Sequence, residues 1–160
     1  MKKQKGYTLA ELMVTVAIII ILAGLALPNF VEFIADQRLK QAAQHLQKGR
    51  GFEAFVLLND FPESAQSEQA AALLPLARFL FDMDDGDGLT GVEALDMAYE
   101  SAAQAMKRRN PAQALEQLFT ALDAGEEMDH AYTTDLIQAM FALLGENNPL
   151  VVKYQEQLAV

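Results

Sequence analysis

Residues 6–30 read GYTLAELMVTVAIIIILAGLALPNF, an apolar run of helix length with one carboxylate at its start, preceded by three lysines. The run from Leu12 to Leu27 contains only Thr15 and Gly24 as non-hydrophobic members. As an α-helix it would extend roughly 24 Å, slightly less than a bilayer core of about 30 Å. Apolar residues on both flanks add the missing length, so the segment predicts a tilted membrane helix close to the amino terminus.

Glu11 is a charged residue at the start of this apolar run, and its presence there needs an explanation. A carboxylate in hydrocarbon costs on the order of 2.5–3.5 kcal/mol at a helix centre, and less near an end, unless a cation neutralises it. No cation lies one turn ahead of it in the apolar run. Cleavage after Gly6 would create an α-amine on Tyr7 at about this depth in a neighbouring copy. The two groups would then pair between subunits.

The segment KGYTLAEL at residues 5–12 resembles the amino-terminal signature of type IV prepilins and type II secretion pseudopilins. That signature is a basic leader ending in Gly, then an aromatic residue, Thr-Leu-x-Glu and a long apolar helix. The resemblance continues through Pro28 and covers about the first thirty residues. It implies cleavage after Gly6 by a prepilin peptidase, methylation of the Tyr7 amine, and docking of each subunit into a filament through Glu11.

The same resemblance implies partners and a location. The partners are other pilin or pseudopilin subunits, the prepilin peptidase and an inner-membrane assembly platform. The protein would be a single-pass protein of the bacterial inner membrane with a periplasmic or exterior head, and would pass into an extracellular or periplasmic filament. Its amino terminus is expected in the cytoplasm, because Lys2, Lys3 and Lys5 precede the apolar run.

Two simpler interpretations of the segment stay open. An ordinary secretory signal peptide also has a basic start and an apolar core, followed by small residues at the cleavage point. A plain signal anchor would use Glu11 only to cap the membrane helix. The mature amino terminus separates the three: Tyr7 for a prepilin, a residue near Leu27 for a secreted protein and Met1 for an anchor.

Composition narrows the class of function. The 160 residues contain no Cys, which excludes disulfides, thiolate metal sites and cysteine nucleophiles. The net charge is −10, and without the leader lysines nine basic side chains face 22 acidic ones. Such a surface repels nucleic acid and anionic lipid. With two isolated His and no nucleophile or phosphate-binding motif, the sequence predicts no enzyme.

The chain predicts a mainly α protein: a long pilin-type helix followed by a small helical head. The stem is amphipathic because apolar residues from Val31 to Leu46 recur every three or four positions, and His45 is expected on its solvated side. We expect a bend at Pro28. The predicted units are a leader at 1–6, a membrane and filament-core helix at 7–30, a stem at 31–50 and a head at 51–160.

The sequence of the head predicts helices and no confident strand. Helices are expected at 52–61, between 63 and 81 with Pro75 as a kink or a second start, at 94–109, at 111–123, from Thr133 or Thr134 to Leu144, and in the terminal segment 150–158. Ordinary pilin heads pack an antiparallel sheet against the stem. The difference favours a minor pilin or a pseudopilin over a major subunit.

Residues 82–93, DMDDGDGLTGVE, form an acidic segment that resembles an EF-hand calcium loop. A hard cation takes six to eight oxygens from alternating carboxylates around a tight turn, with a bidentate Glu at the twelfth position. With Asp82 first, Asp84 is third and Glu93 twelfth, but Gly86 and Asp87 are interchanged at the centre. An alternative register restores that centre and places Met83 first. The candidate calcium ligands are Asp82, Asp84, Asp85, Asp87 and Glu93.

The alternative for this segment is a solvated acidic turn without metal. Residues 123–130 have a similar acidic composition but lack the ligand spacing, so no metal is assigned there and His130 is expected on the surface. The sequence thus predicts a filament subunit whose head calcium stabilises. The competing hypothesis is a membrane-anchored calcium-binding module that binds a partner without polymerising.

Overall fold

The computed structural model describes residues 6–158, and the side chains of all of these except 25, 26, 28 and 128. Seven α-helices and no strand are found within this range, which confirms the mainly α prediction. The leader lysines lie outside the described residues. The helices are α1 Leu9–Gln47, α2 Gly51–Asn59, α3 Ser67–Asp85, α4 Glu93–Lys107, α5 Pro111–Ala124, α6 Glu127–Leu144 and α7 Pro149–Leu158.

Helix α1 is one continuous helix of 39 residues that joins the apolar run to the stem. At about 1.5 Å per residue it is roughly 58 Å long, and it stays helical through position 28. Four residues spaced by three or four positions bury one face of its second half against the head: Ala35, Leu39, Ala42 and Leu46. The amphipathic stem is thereby confirmed. His45 is less solvated than predicted, since its Nδ1 is buried with no hydrogen-bond partner among the described atoms.

The Gly49-Arg50-Gly51 turn joins the stem to the head in very little space. Gly49 has a φ of +67°, and a Cβ placed there would lie 2.6 Å from the Lys107 Cα. A Cβ on Gly51 would lie 2.3 Å from the backbone nitrogen of Phe81. Only glycine therefore lets the turn contact α3 and α4 at backbone distance, which brings α1 to α4 together at one point.

Helices α2 and α3 form the first packed pair of the head. The Phe81 ring of α3 lies 5.5 Å from the Phe52 ring and 5.6 Å from the Phe55 ring of α2. Pro75 lies inside α3, which continues to Asp85. The prediction that this helix ends at Phe81 is therefore wrong. The left-handed Gly86 (φ +82°), whose N–H bonds the Asp82 carbonyl, ends the helix instead.

Helix α5 packs against both α4 and α6, and α6 also packs against α3. The start of α6 differs from the prediction, because Glu126 and Asp129 form a capping box seven residues ahead of Thr133. Thr133 is instead fully buried inside α6. Its hydroxyl donates to the Asp129 carbonyl at 3.0 Å and lies 2.8 Å from the Tyr99 hydroxyl of α4. Because the Thr133 hydroxyl already donates its proton to the Asp129 carbonyl, the Tyr99 hydroxyl is the donor in its bond with Thr133.

Helix α7 closes the head at its carboxyl end. Its Tyr154 ring stacks on Phe119 of α5 with centroids 5.1 Å apart, and Val151 is fully buried. One hydrophobic core runs from the stem through the described head helices. The head is therefore anchored on the second half of α1, while the first half of that helix extends away from it.

Candidate functional site

The amino-terminal end of α1 is fixed by a reciprocal cap between Thr8 and Glu11. The Glu11 N–H donates to the Thr8 Oγ1 at 3.2 Å. In return, the backbone N–H and the hydroxyl of Thr8 donate to Glu11 Oε2 at 2.8 and 3.0 Å. This is a capping box, which satisfies helix donors that would otherwise lack partners. The box holds the carboxylate at the mouth of the apolar run.

The predicted processing residues lie just outside this cap. The helix begins at Leu9, and no atom lies within 4 Å of a Cβ placed on Gly6. Tyr7 is 90% exposed. Both residues therefore lie ahead of the helix, and the Tyr7 nitrogen is one residue away from the Thr8–Glu11 box.

The first half of α1 is apolar, and its described side chains are exposed rather than packed against the head. Among the described residues it is the one helix long and apolar enough, by length and composition, to cross a membrane, and none of its apolar window is buried. The single hydroxyl in the run, on Thr15, donates to the Glu11 carbonyl at 2.7 Å. Its polar group therefore needs no partner from lipid.

The acidic segment 82–93 is divided between the end of α3, an irregular loop and the first residue of α4. Asp82, Asp84 and Asp85 belong to the last turn of α3. Asp82 lies 3.5 Å from the Arg78 Nε, and Asp84 forms an ion pair with Lys107. These cations offset the charge of two of the three acids at a helix carboxyl end, where the dipole disfavours negative charge.

The rest of the segment is organised by Asp96, which the sequence analysis did not single out. Its carboxylate accepts hydrogen bonds from the Thr90 N–H at 2.7 Å, the Thr90 hydroxyl at 2.8 Å and the Gly91 N–H at 3.0 Å. The Thr90 N–H holds the pKa of Asp96 below its ordinary value. The capping-box signature does not identify this pair, because its two residues are three positions apart, whereas Thr90 and Asp96 are six positions apart.

The described residues contain no group of three or more His, Asp or Glu side chains that could hold a metal ion. Glu93 is the first residue of α4, and Asp87 is exposed between the two helices. For the predicted ligands to surround one calcium ion, the last turn of α3 would have to unwind. Calcium binding therefore stays a prediction. The second acidic region offers no loop, since Glu127 to His130 form the first turn of α6.

Comparison with known proteins divides the chain into two parts. Residues 1–27 match the family model "Prokaryotic N-terminal methylation motif", and residues 91–160 match the family model "Tetratricopeptide repeat". The chain is also similar to curated proteins. It is 47% identical over 45 residues to the type IV major pilin protein PilA of Myxococcus xanthus, and these residues are 28% of this chain and 20% of that protein.

Two further relatives match over stretches of similar length. The fimbrial protein of Moraxella nonliquefaciens is 50% identical over 42 residues, 26% of this chain and 27% of that protein. The type IV major alpha-pilin of Moraxella bovis is 42% identical over 50 residues, 31% of each. The chain thus spans less than a third of the length of these curated relatives. No solved structure matches the chain.

The tetratricopeptide match agrees with the packing of the head, although the sequence analysis did not identify a repeat. Helices α4 and α6 begin at Glu93 and Glu127, a separation equal to the 34-residue period of these repeats. The buried residues Ala114 and Leu118 have the same four-residue spacing as the Ala-x₃-Phe part of the repeat pattern. The amino-terminal segment is thus pilin-like, and the carboxyl-terminal part is similar to tetratricopeptide repeats.

Proposed function

We propose that this chain is a type IV pilin-like filament subunit, cut after Gly6, methylated on Tyr7 and assembled through the exposed half of α1. The observation that carries the proposal is the Thr8–Glu11 box at the mouth of a membrane-length helix whose apolar window is unburied. The match of residues 1–27 to the methylation motif supports the processing steps. The pilin relatives support assembly with other pilin subunits.

The box explains how Glu11 could guide assembly. Both side-chain bonds that it accepts from Thr8 end on Oε2, and an ionised carboxylate has about four acceptor positions on two oxygens. A sister subunit's amine could therefore bind the same carboxylate without displacing Thr8. In the water-poor core of a filament such a charge pair is much stronger than at a protein surface.

The head favours a specialised or minor subunit over the main building block of a filament. Helices are the only regular secondary structure among its described residues, and its carboxyl-terminal part is similar to tetratricopeptide repeats. Repeats of that kind create extended surfaces for protein binding. A calcium ion held by the acidic segment 82–93 is proposed as an additional stabiliser of the head.

The second candidate is a membrane-anchored module that binds a partner without polymerising. It is favoured by the fact that Thr8 already supplies Glu11 with hydrogen bonds within one chain. In that case the carboxylate is only a helix cap, and no sister amine is required.

Three substitutions separate the two functions. Glu11→Ala and Glu11→Gln remove the charge, whereas Thr8→Ala keeps the carboxylate and removes the side-chain half of the box. We expect all three variants to be cleaved and inserted in the membrane, because neither the Gly6–Tyr7 bond nor the apolar run changes. Sheared surface filaments from cells expressing each variant are then probed for the protein.

A filament subunit predicts that both Glu11 variants are lost from filaments while Thr8→Ala is retained. If Glu11→Gln is incorporated as well as the wild type, pairing with an amine is contradicted. If the wild type itself is absent from sheared filaments but present in the membrane, the anchored module is the correct function.

A further inference from the structure

The cations of the chain are concentrated at the junction of stem and head. Of the nine Lys and Arg residues that remain without the leader, five lie in two short stretches: Lys48, Arg50, Lys107, Arg108 and Arg109. All five are exposed. Three ion pairs are found within residues 6–158, and of these five cations only Lys107 takes part, through Asp84. Four exposed cations without an ion pair thus lie together on a chain of net charge −10.

The backbone brings these two stretches together. The close contact of Gly49 with the Lys107 backbone places the end of the stem on the end of α4. Arg109 is the only non-glycine residue with a positive φ (58°) in the described chain. This left-handed residue turns the chain from α4 into α5, and its N–H bonds the Met106 carbonyl at 2.9 Å. A second bond, from the Asn110 N–H to the Ala105 carbonyl at 2.9 Å, completes a Schellman cap at the end of α4, and Arg109 is its left-handed residue.

A cavity of about 320 Å³ lies beside these cations. Its cationic rim is formed by Lys48 and Arg109, and its apolar walls come from α4, α5 and the end of α6: Met106, Pro111, Leu143 and Leu144. We call these six residues the basic groove. It joins an apolar pocket to two exposed positive charges, whereas the surface as a whole is acidic.

We propose that the basic groove binds an acidic peptide segment of a partner protein. An apolar side chain of that segment would fill the cavity, and carboxylates on either side would contact Lys48 and Arg109. Charge complementarity favours this occupant, because an acidic partner is repelled by most of this surface and attracted at the groove. The apolar walls distinguish the site from one for a simple anion, since burying an apolar anchor there removes water from both surfaces. The proposal does not depend on filament membership.

The test uses the full chain in nanodiscs of phosphatidylcholine, which is zwitterionic and adds no net charge. The probe is a fluorescent hexapeptide with leucine and phenylalanine between two pairs of glutamates, and binding is followed by anisotropy. A matched peptide carries glutamine in place of each glutamate. The groove variant is Lys48→Glu with Arg109→Glu. The control variant is Lys40→Glu with Lys153→Glu, which changes the net charge equally but away from the groove.

We expect the acidic peptide to bind the wild type and the glutamine peptide to bind at least tenfold more weakly. The groove variant should lose at least tenfold in affinity, and the control variant less than twofold. Added salt should weaken binding, as expected for exposed charges. The near-ultraviolet circular dichroism of each variant checks that the head is folded.

Three results would overturn the proposal. One is equal affinity of the wild type and the groove variant for the acidic peptide. Another is an equal loss in the control variant, which would reduce the effect to net charge. The third is a peptide that fails to bind while the wild-type chains self-associate and the groove variant does not, because the occupant would then be a second copy of this chain.

Discussion

Replacing Gly51 by Ala tests the close contact that joins the stem to the head. The new Cβ would lie 2.3 Å from the Phe81 nitrogen and 2.6 Å from the Leu80 Cβ. Ordinary van der Waals contacts of a Cβ begin near 3.4 Å, so α2 has to move about an ångström away from α3. That movement loosens the packing of the Phe52 and Phe55 rings on Phe81. Overpacking of this kind costs about 1–3 kcal/mol, and backbone atoms cannot rotate away, so we expect a loss of about 2 kcal/mol.

For a head of roughly a hundred residues, a loss of that size lowers the melting temperature by about 10 °C. The assay is thermal unfolding of the full chain in detergent, followed by the near-ultraviolet circular dichroism of tyrosine. Three of the four tyrosines lie in the head, so the signal reports its packing rather than the membrane helix. Gly24→Ala is the matched control, since no atom lies within 4 Å of a Cβ there. A melting temperature of Gly51→Ala within 2 °C of the wild type would refute the close contact.

Three further predictions concern the head. Tyr99→Phe should cost about 1 kcal/mol of unfolding free energy and Thr133→Val about 1–3 kcal/mol, because the latter leaves a buried Tyr99 hydroxyl unpaired. The double variant should cost less than the sum in urea unfolding, and strict additivity would contradict the shared bond. Burial raises the pKa of Tyr99 above 10.0, so the unfolded state loses its proton first. Stability should therefore be complete below pH 10 and fall above it, and Tyr99→Phe should reduce that fall in alkaline melting curves. Calcium should raise the melting temperature of the wild type but not of Asp82→Ala with Asp84→Ala, and a wild type that responds in neither stability nor helicity contradicts the metal site.

Local signals in the sequence predicted much of the fold. The spacing of apolar residues in the stem predicted which face is buried. Pro111 lies at a helix start and Gly145 at a helix end, as the backbone preferences of proline and glycine predict. The methylation motif was predicted from residue types at fixed spacing, and a family model matches the same segment. Such features depend on neighbours along the chain, and a single sequence contains them directly.

Features that depend on distant contacts were missed or misplaced. The acids Asp82 to Asp85 were assigned to a loop because the pairing of Asp84 with Lys107 cannot be seen in local sequence. The similarity of the head to tetratricopeptide repeats was missed because the 34-residue separation appears in the starts of α4 and α6 and not in a repeated sequence motif. The basic groove requires the contact of Gly49 with α4, which joins stretches about sixty residues apart.

The mass of the mature protein, isolated from the membranes of its native cells, decides whether the chain is processed as a prepilin. We expect a chain that begins at Tyr7 and carries one methyl group on its α-amine. A chain that still contains the lysines of residues 1–5, or one that begins near Leu27, would contradict it.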